Sequence, residues 1–328
     1  MERMNWGVIG CGGIAAKFAE SLAALEKGNL LAAASRTPGK ASAYAEKHGA
    51  ERVYTDYESL AADPDVDLVY VATTHNFHHE NVKLCLENGK HVLCEKPFTV
   101  SARQAEELIA LARAKGLFLM EALWTRFLPA IRKMKALIDD GAIGEVRTVQ
   151  SSFCINPERD ETHRLKNKAL AGGALLDLGV YPINLAAIVF GEPPEQITSS
   201  ANIGPTGVDY GSFYHFDYAG GRRAILYASC VETSPSSAVI HGTKGYIQLP
   251  PFFHGSTEFT LRVKDEEPRK VEFPCPAGHE FKYEIAEVME RVAAGKIESD
   301  VMPLSETLAI MKTMDAIRAQ WGLTYDGE

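Results

Sequence analysis

The first 120 residues alternate short runs of apolar, often β-branched residues with longer amphipathic stretches. The apolar runs predict strands over residues 6–10, 30–35, 67–72, 91–94 and 117–121. Helical periodicity fills the intervals at residues 14–26, 38–48, 78–88 and 102–115. Strands that alternate with helices in this way form parallel βαβ units with right-handed crossovers. The pattern therefore predicts an α/β fold with a doubly wound parallel sheet.

The pattern changes after about residue 124. Helical periodicity appears at residues 129–139, 174–190, 280–293 and 305–320, whereas residues 146–154 and successive segments of 196–273 have strand character. Short turns join these later strands, which indicates an α+β domain with a large, open and mainly antiparallel sheet. A chain of 328 residues is longer than one compact core usually sustains. We therefore expect two domains, residues 1–123 and residues 124–328, with the last helix free to pack back on the first.

Composition and charge narrow the classes of function. Hydrophobic residues make up 46% of the chain and charged residues 23%, as in ordinary globular proteins. A formal net charge of -9 argues against a nucleic-acid partner, because nucleic acids bind to basic faces. No apolar run approaches the ~20 residues that span a bilayer, and the N-terminus lacks the features of a signal peptide. We expect a cytoplasmic protein without a membrane or nucleic-acid partner.

Cysteine and histidine spacing does not predict a metal site. The six cysteines form no C-x-x-C pair and most lie in apolar runs, so we expect buried, reduced thiols. His75, His78 and His79 come closest to a metal-binding pattern, yet no cysteine or carboxylate with ligand spacing accompanies them. We therefore expect no bound metal.

A glycine-rich turn follows the first predicted strand. Gly10-Cys11-Gly12-Gly13-Ile14-Ala15 matches G-x-G-x-x-A at the point where strand passes into helix. Gly10 allows the tight turn and Gly12 lets the backbone approach a pyrophosphate, while Ala15 permits close packing of helix on strand. The helix N-terminus at Gly13 and Ile14 supplies unpaired N–H groups to the phosphates. This is the pattern of a Rossmann-type dinucleotide-binding domain.

The residues after the second predicted strand bear on the choice of dinucleotide. An NAD site usually carries Asp or Glu there, to accept hydrogen bonds from the ribose 2′-hydroxyl. This chain has Ser35, Arg36 and Thr37 instead, with Lys40 nearby. Guanidinium forms bidentate contacts with phosphate, so we predict NADP rather than NAD. The alternative is that Arg36 stacks on the adenine ring and tolerates both cofactors.

Two further segments carry candidate chemistry. Glu95, Lys96 and Pro97 follow a buried strand at its carboxyl end, where the ligands of open α/β sheets bind. Later in the chain, a glycine pair opens a predicted helix in which Asp177 and Tyr181 are four residues apart. That spacing places the carboxylate and the phenol on one helical face.

Together, the three motifs resemble those of the glucose-fructose oxidoreductase, inositol dehydrogenase and rhizopine catabolism (Gfo/Idh/MocA) superfamily. Its members carry G-x-G-x-x-G/A, then E-K-P, then G-G-x-x-x-D-x-G-x-H/Y, and this chain has all three in that order. Residues 119–127 and Tyr181 are most similar to the branch of dimeric dihydrodiol dehydrogenases and NADP-dependent D-xylose dehydrogenases. The resemblance covers nearly the whole chain. It implies that Lys96 and Tyr181 form the catalytic pair and that Asp177 orients the substrate.

The resemblance also implies a set of binding residues. Trp124, Arg126 and Phe153 are expected to line the nicotinamide and substrate pocket. The other expected cofactor contacts follow the fourth and fifth predicted strands, at Thr73, His75, His78, Glu95 and Lys96. For His78, a buried and hydrogen-bonded ring is an equally good interpretation.

Two positions depart from the commonest pattern of the superfamily. Tyr181 stands where many members have histidine, and Asn184 stands where many have aspartate. The histidine dyad of the inositol dehydrogenases is therefore not transferred to this chain. Instead, we expect Tyr181 to take the hydroxyl proton while hydride leaves the carbinol carbon. A free phenol has a pKa of ~10, and Lys96 is the cation expected to lower it.

The expected function is NADP-dependent hydride transfer on a small polyhydroxylated molecule, a sugar or a cyclic vicinal diol. The resemblance implies a homodimer that pairs through the open face of the antiparallel sheet. Two alternatives stay open. Some relatives hold NAD tightly and oxidise and re-reduce one sugar, so that the overall reaction is redox-neutral. A non-catalytic dinucleotide sensor would keep the glycine-rich turn without using Lys96, Asp177 and Tyr181, and the presence of all three argues against it.

Overall fold

The computed structural model describes residues 3–157 and 160–328, which form two compact units. The first unit comprises the described residues up to Trp124 together with Cys275–Leu308. The second comprises Thr125–Pro274, as far as it is described, and Ala309–Glu328. The domain boundary expected after residue 123 stays a prediction. The two units differ from that division in that Cys275–Leu308 belongs to the first.

The regular elements of the described residues are as follows. The strands are β1 (Met4–Ile9), β2 (Gly28–Ala34), β3 (Arg52–Tyr54), β4 (Leu68–Val71), β5 (His91–Glu95), β6 (Leu119–Ala122), β7 (Val146–Cys154), β8 (Gln196–Ile203), β9 (Asp209–Tyr218), β10 (Arg222–Ser229), β11 (Ala238–Gly242), β12 (Gly245–Leu249), β13 (Glu258–Val263) and β14 (Arg269–Glu272). The helices are α1 (Gly13–Ala23), α2 (Lys40–His48), α3 (Tyr57–Ala62), α4 (His78–Glu87), α5 (Ala102–Lys115), α6 (Pro129–Asp139), α7 (Val180–Phe190), α8 (Lys282–Ala293) and α9 (Leu304–Trp321).

The first unit is built on a sheet in the order β3-β2-β1-β4-β5-β6, in which every neighbouring pair is parallel. This confirms the predicted doubly wound parallel sheet. The strand order reverses between β1 and β4, and in open α/β sheets such a switch point is where ligands bind, at the carboxyl ends of the strands. The fold therefore places the residues after β1, β2, β4 and β5 at the edge where a cofactor is expected.

Aromatic packing fixes the centre of the first unit. The ring of Phe18, on α1, stacks on Tyr70 of β4 with centroids 4.0 Å apart, and it meets Trp6 of β1 edge-on at 5.1 Å. All three side chains are completely buried.

The sequence pattern did not predict β3 and α3. A strand of three residues is too short to display a period.

The second unit is built on an eight-stranded sheet in the order β14-β13-β12-β11-β7-β10-β9-β8. All neighbours are antiparallel except β7 and β10, which confirms a mainly antiparallel sheet. Along β9, Tyr214 and Phe216 are buried, whereas Phe213 is 56% exposed. Alternate residues point to opposite faces, so one face is covered and the other is open. On the open face, Phe213 stacks on Tyr227 at 4.0 Å, and Ile225 is 44% exposed.

The covered face carries the most apolar helical segment of the chain, Lys168–Phe190. Its mean hydropathy reaches 1.7 over 18 residues, and among the described residues it is the one helical segment long and apolar enough to cross a membrane. The expectation that no apolar run approaches spanning length was therefore wrong. However, 89% of that stretch is buried, with α7 against β7 and β10. A core helix passes the same test, so the segment is only weak evidence for a membrane span.

Candidate active site

The glycine-rich turn lies at the carboxyl end of β1. Gly10 has φ +93°, and its N–H donates to Ala34 O at 3.0 Å. A Cβ at this position would lie 2.7 Å from Ala72 O, so a side chain does not fit. At Gly12 and Gly13, by contrast, a Cβ would meet no atom within 4 Å, and no side chain caps α1 at Gly12. The helix N-terminus is thus open to a phosphate group.

Arg36, after the carboxyl end of β2, contacts two aromatic rings. Its guanidinium carbon lies 4.7 Å from the centroid of Tyr57 and 4.7 Å from that of Phe77. Ser35 is buried beside it and accepts a hydrogen bond from Thr37 N–H at 3.2 Å, which closes the turn. Cation–π contacts with the two rings restrain the guanidinium, and the half-exposed side chain leaves N–H groups for an anion.

The charges around Arg36 are sparse and exposed. Glu80 Oε1 lies 3.5 Å from a guanidinium nitrogen, and both side chains are about half exposed. Surface pairs of this kind are weak, so an anion can displace the carboxylate. Lys40, the first residue of α2, is exposed as well. Arg36 and Lys40 are therefore available to a phosphate, and the Ser35 hydroxyl, which accepts from Thr37 N–H, keeps its hydrogen to donate.

His78, at the start of α4, is completely buried. Its Nδ1 lies 2.9 Å from Pro97 O and its Nε2 lies 3.1 Å from Thr73 O, and the neutral ring, which has one N–H, donates to one of these two carbonyls. Burial, with the nearby His75 acting in the same direction, lowers the pKa of His78 to about 4. The structure favours the buried, hydrogen-bonded interpretation of His78 over a cofactor contact. The ring of His75 is also buried, 5.8 Å from that of His78.

Glu95 and Lys96 differ in environment although they are adjacent. Glu95 is buried at the carboxyl end of β5, where it accepts hydrogen bonds from the Tyr70 hydroxyl and, at 3.2 Å, from Lys96 N–H. Both contacts anchor the backbone at the point where β5 ends. Lys96 itself is half-buried. The pair is therefore not a solvated surface ion pair, because its carboxylate is turned into the core of the first unit.

In the second unit, the predicted helix over residues 174–190 begins with a π-helical turn, Leu175–Gly179, and continues as α7. Asp177 lies within the π-turn and Tyr181 lies in the first turn of α7. The two residues thus share one continuous helical segment whose first turn is π-helical, and the expectation that they lie on one helical face stays a prediction. Inserted π-turns often occur at functional sites, because they re-aim the side chains that they carry.

Asp177 is buried and is held by a residue that the sequence analysis did not single out. Arg164 makes two parallel hydrogen bonds to its carboxylate, at 3.0 and 3.2 Å. This is the bidentate geometry that orients a carboxylate most strongly. Arg164 lies in a loop without periodicity, 13 residues before Asp177, and no sequence signal links the two residues.

The Tyr181 ring belongs to an aromatic cluster with Phe153 and His254. Phe153, near the end of β7, meets Tyr181 edge-on with centroids 5.4 Å apart. His254 stacks on Phe153 at 4.2 Å and lies 4.8 Å from the Tyr181 centroid. The sequence analysis placed Phe153 and Tyr181 in one pocket but did not identify His254. It lies about 70 residues further along the chain, in a short loop after β12.

The two remaining pocket candidates belong to different units. Trp124 is part of the first unit, where its ring lies 5.1 Å from Phe281. Arg126 is buried in the second unit, where its Nε donates to Asn184 Oδ1 at 2.6 Å. Asn184, where many relatives have aspartate, thus gives Arg126 a neutral partner. Among the residues that the structure describes, no group of three or more His, Cys, Asp or Glu side chains could hold a metal ion.

Comparison with known proteins decides the family. The family model described as "Oxidoreductase family, NAD-binding Rossmann fold" matches residues 4–123, and the model "GFO/IDH/MocA C-terminal domain" matches residues 131–248. The chain belongs to the Gfo/Idh/MocA family. It is an oxidoreductase with an NAD(P)-binding Rossmann domain, as its sequence motifs predicted.

Relatives of this Gfo/Idh/MocA protein cover almost its whole length. The trans-1,2-dihydrobenzene-1,2-diol dehydrogenase of Xenopus tropicalis is 37% identical, over 98% of this chain and 99% of the relative. Among solved structures, the 3-ketoreductase KijD10 of Actinomadura kijaniata, in complex with NADP and TDP-benzene, is 29% identical with a TM-score of 0.86. It covers 97% of this chain and 98% of its own. The aldose-aldose oxidoreductase of Caulobacter crescentus, complexed with glycerol, is 25% identical with a TM-score of 0.89, and 98% of each chain is covered.

The buried His78 predicts acid sensitivity. The unfolded chain takes up a proton at the ordinary histidine pKa of 6.5, whereas the folded chain does so only near 4, so protonation favours the unfolded state. The contribution is fully present above pH 6.5 and is lost as pH falls to about 4, by about 3 kcal/mol in total. Urea unfolding between pH 7 and pH 4 should therefore give a shallower loss of stability for His78→Gln than for the wild type.

The half-exposed His215 on β9 provides a matched control for this measurement. His215→Gln should retain the acid sensitivity of the wild type. If His78→Gln loses stability with falling pH as steeply as the wild type and His215→Gln do, burial of the His78 ring is not the source of the acid sensitivity.

Proposed function

We propose that this protein is an NADP-dependent dehydrogenase that transfers hydride between the nicotinamide and a carbinol or carbonyl of a small polyhydroxylated molecule. The observation that carries the proposal is the setting of Tyr181. It combines a phenol, the stacked rings of Phe153 and His254, and the Asp177–Arg164 ion pair, whose carboxylate lies four residues earlier in the same helical segment. A phenol beside a fixed carboxylate suits a substrate with adjacent hydroxyl groups, one to be oxidised and one to be held.

The preference for NADP rests on Arg36. The chain has no carboxylate directly after β2 to accept hydrogen bonds from a ribose 2′-hydroxyl. The guanidinium, restrained by contacts with Tyr57 and Phe77, is instead suited to a 2′-phosphate, with an exposed carboxylate, Glu80, to displace. KijD10, the 29% identical relative, was solved with NADP.

The proposed chemistry assigns one task to each side chain. Nicotinamide, when bound, accepts the hydride that leaves the carbinol carbon. The phenolate of Tyr181 takes the proton of the same hydroxyl group, and Asp177, fixed by Arg164, holds the neighbouring hydroxyl. For a phenol to act near neutral pH, its pKa must fall by ~2–3 units, which corresponds to ~3–4 kcal/mol. The ammonium of Lys96 is the group proposed to supply this stabilisation.

The proposed substrate is an aldose or a cyclic vicinal diol. The names of the relatives describe one enzyme of a dihydrobenzene-diol and one of aldoses, and both classes carry adjacent hydroxyl groups. The aromatic faces of Phe153 and Tyr181 suit the ring of either class. We also propose a homodimer that pairs through the open sheet face around Phe213, Ile225 and Tyr227, and a cytoplasmic location.

A redox-neutral reaction is the second candidate, and the likeness to an aldose-aldose oxidoreductase favours it. In that case hydride removed from one sugar would return to a sugar, and reduced cofactor would not accumulate. The two candidates differ in one observable. A dehydrogenase given NADP and a polyol releases NADPH stoichiometrically with product, whereas a redox-neutral enzyme shows at most one equivalent of reduced cofactor per active site.

Arg36→Ala tests the choice of cofactor. Loss of a charge-assisted, bidentate phosphate contact of ~1.5–3 kcal/mol should lower kcat/KM for NADP about 10–150-fold and leave kcat/KM for NAD nearly unchanged. Arg113→Ala is the matched control, because Arg113 is 52% exposed and has one weak carboxylate contact, at 3.7 Å to Glu298. An unaltered ratio of the two kcat/KM values in Arg36→Ala would remove the phosphate-binding role.

Tyr181→Phe tests the proposed base. The variant keeps the ring contacts with Phe153 and His254 but has no proton carrier, so kcat should fall about 100-fold or more while the Kd for NADP stays constant. Stopped-flow absorbance of NADPH measures the first, and fluorescence titration measures the second. Tyr246→Phe, a half-buried tyrosine of β12, should retain wild-type kcat. A kcat for Tyr181→Phe within threefold of the wild type would contradict the role of Tyr181.

A further inference from the structure

Asp209, the first residue of β9, is completely buried, and its carboxylate lies at the start of the π-turn although it is distant in sequence. Its Oδ2 accepts hydrogen bonds from Leu175 N–H at 2.8 Å and from the Ser212 hydroxyl at 2.8 Å. Leu175 is the first residue of the π-turn that carries Asp177. A carboxylate 34 residues further along the chain thus holds the start of this turn.

Gly173, just before the π-turn, lies against the same carboxylate. Gly173 has φ +117°, and a Cβ there would collide with Asp209 Oδ1 and lie 3.0 Å from the Tyr325 hydroxyl. That hydroxyl donates to Gly172 O at 2.5 Å. The close approach of Asp209 and Tyr325 therefore requires glycine at position 173, whereas at Gly172 a Cβ would collide with Arg164 O. The sequence alone offered only a glycine-rich helix start.

The network continues to the far end of the π-turn. The hydroxyl oxygens of Ser212 and Tyr214 lie 2.5 Å apart, and both side chains are buried. A Cβ on Gly179, the last residue of the π-turn, would lie 2.6 Å from the Tyr214 hydroxyl, so only glycine fits there. The chain from Asp209 through Ser212 to Tyr214 thus contacts both ends of the turn, with Asp177 between them.

Stability alone does not explain a carboxylate at this place. Asp209 Oδ1 has no hydrogen-bond partner among the described residues, and burial raises the pKa of Asp209 to about 7, against the hydrogen bonds from Ser212 and Leu175 N–H. The other titratable groups around it are Arg318 of α9, Tyr214, Tyr325 and Cys230. Arg318 is engaged by Asp315 and Glu328. A buried carboxylate without a dedicated cation is destabilising, so the stability of the fold does not account for it.

We propose that Asp209 is a positioning residue, which fixes the π-turn in the one conformation in which Asp177 and Tyr181 act on the substrate. It does so through Leu175 N–H at the start of the turn and through Ser212 and Tyr214 at its end. This inference rests on the proposed roles of Asp177 and Tyr181. It adds a residue that touches neither substrate nor cofactor and that acts through the backbone of the turn.

The test compares Asp209→Ala, Asp209→Asn and Ile240→Ala. Alanine removes the acceptor for Leu175 N–H, whereas asparagine retains one. Ile240 is completely buried in β11 of the same sheet, so its replacement lowers overall stability without touching the network. Hydrogen–deuterium exchange of peptides that cover residues 174–181 reports on the turn, and kcat, KM and NADP Kd report on the reaction.

In Asp209→Ala, exchange over residues 174–181 should accelerate about tenfold or more relative to other peptides. Its kcat should fall about 10–100-fold with NADP Kd unchanged, because small displacements of catalytic groups are costly. Asp209→Asn should restore the slow exchange and most of kcat. Ile240→Ala should accelerate exchange throughout the sheet and keep kcat.

The proposal is overturned if Asp209→Ala leaves exchange of residues 174–181 at the wild-type rate, or accelerates it no more than Ile240→Ala does. If Asp209→Ala does not fold, Ser212→Ala, which removes the hydroxyl bond to Asp209, decides by the same comparison. A wild type without dehydrogenase activity would contradict the proposed function. The exchange comparison would still decide whether Asp209 fixes the turn.

Discussion

A phenolate in a partly desolvated site is unstable. The proposed reaction therefore requires the chain to stabilise the negative charge of the phenolate. Tyrosine ordinarily loses its proton at a pKa of ~10, so a base that acts near neutral pH needs added stabilisation of ~3–4 kcal/mol. An ammonium within hydrogen-bond reach can supply it only if both groups are held in a fixed geometry. The proposed roles of Lys96 and Tyr181 therefore depend on the elements that hold these two residues.

Each unit fixes its proposed catalytic residue with a buried carboxylate that accepts a backbone N–H. Glu95 accepts the N–H of Lys96 and the hydroxyl of Tyr70, at the end of β5. Asp209 accepts the N–H of Leu175 at the start of the π-turn that leads to Tyr181. Burying these carboxylates destabilises the fold. In exchange, each one restrains the backbone next to the proposed catalytic side chain and so fixes its orientation. Arg164 fixes the carboxylate of Asp177 directly, through two side-chain hydrogen bonds.

The regular parts of the molecule were predictable because they repeat. Alternating strands and helices predicted the parallel sheet of the first unit. The glycine-rich turn predicted that this unit is a dinucleotide-binding Rossmann domain. A period cannot distinguish a π-turn from the first turn of an α-helix, so the insertion at Leu175–Gly179 was missed. The partners of the site were also missed. Arg164, Asp209 and His254 reach the π-turn or Tyr181 only through folding, from positions without a local pattern.

The pH dependence of kcat in the wild type and in Lys96→Met tests the central claim most directly. If the ammonium lowers the pKa of the Tyr181 phenol, kcat for alcohol oxidation in the wild type rises with an apparent pKa of ~7–8. In Lys96→Met, which keeps an unbranched side chain one atom shorter and without the charge, the same rise should move upward by ~2 units or more. An apparent pKa that is identical in the two proteins would contradict the claim that Lys96 stabilises the phenolate.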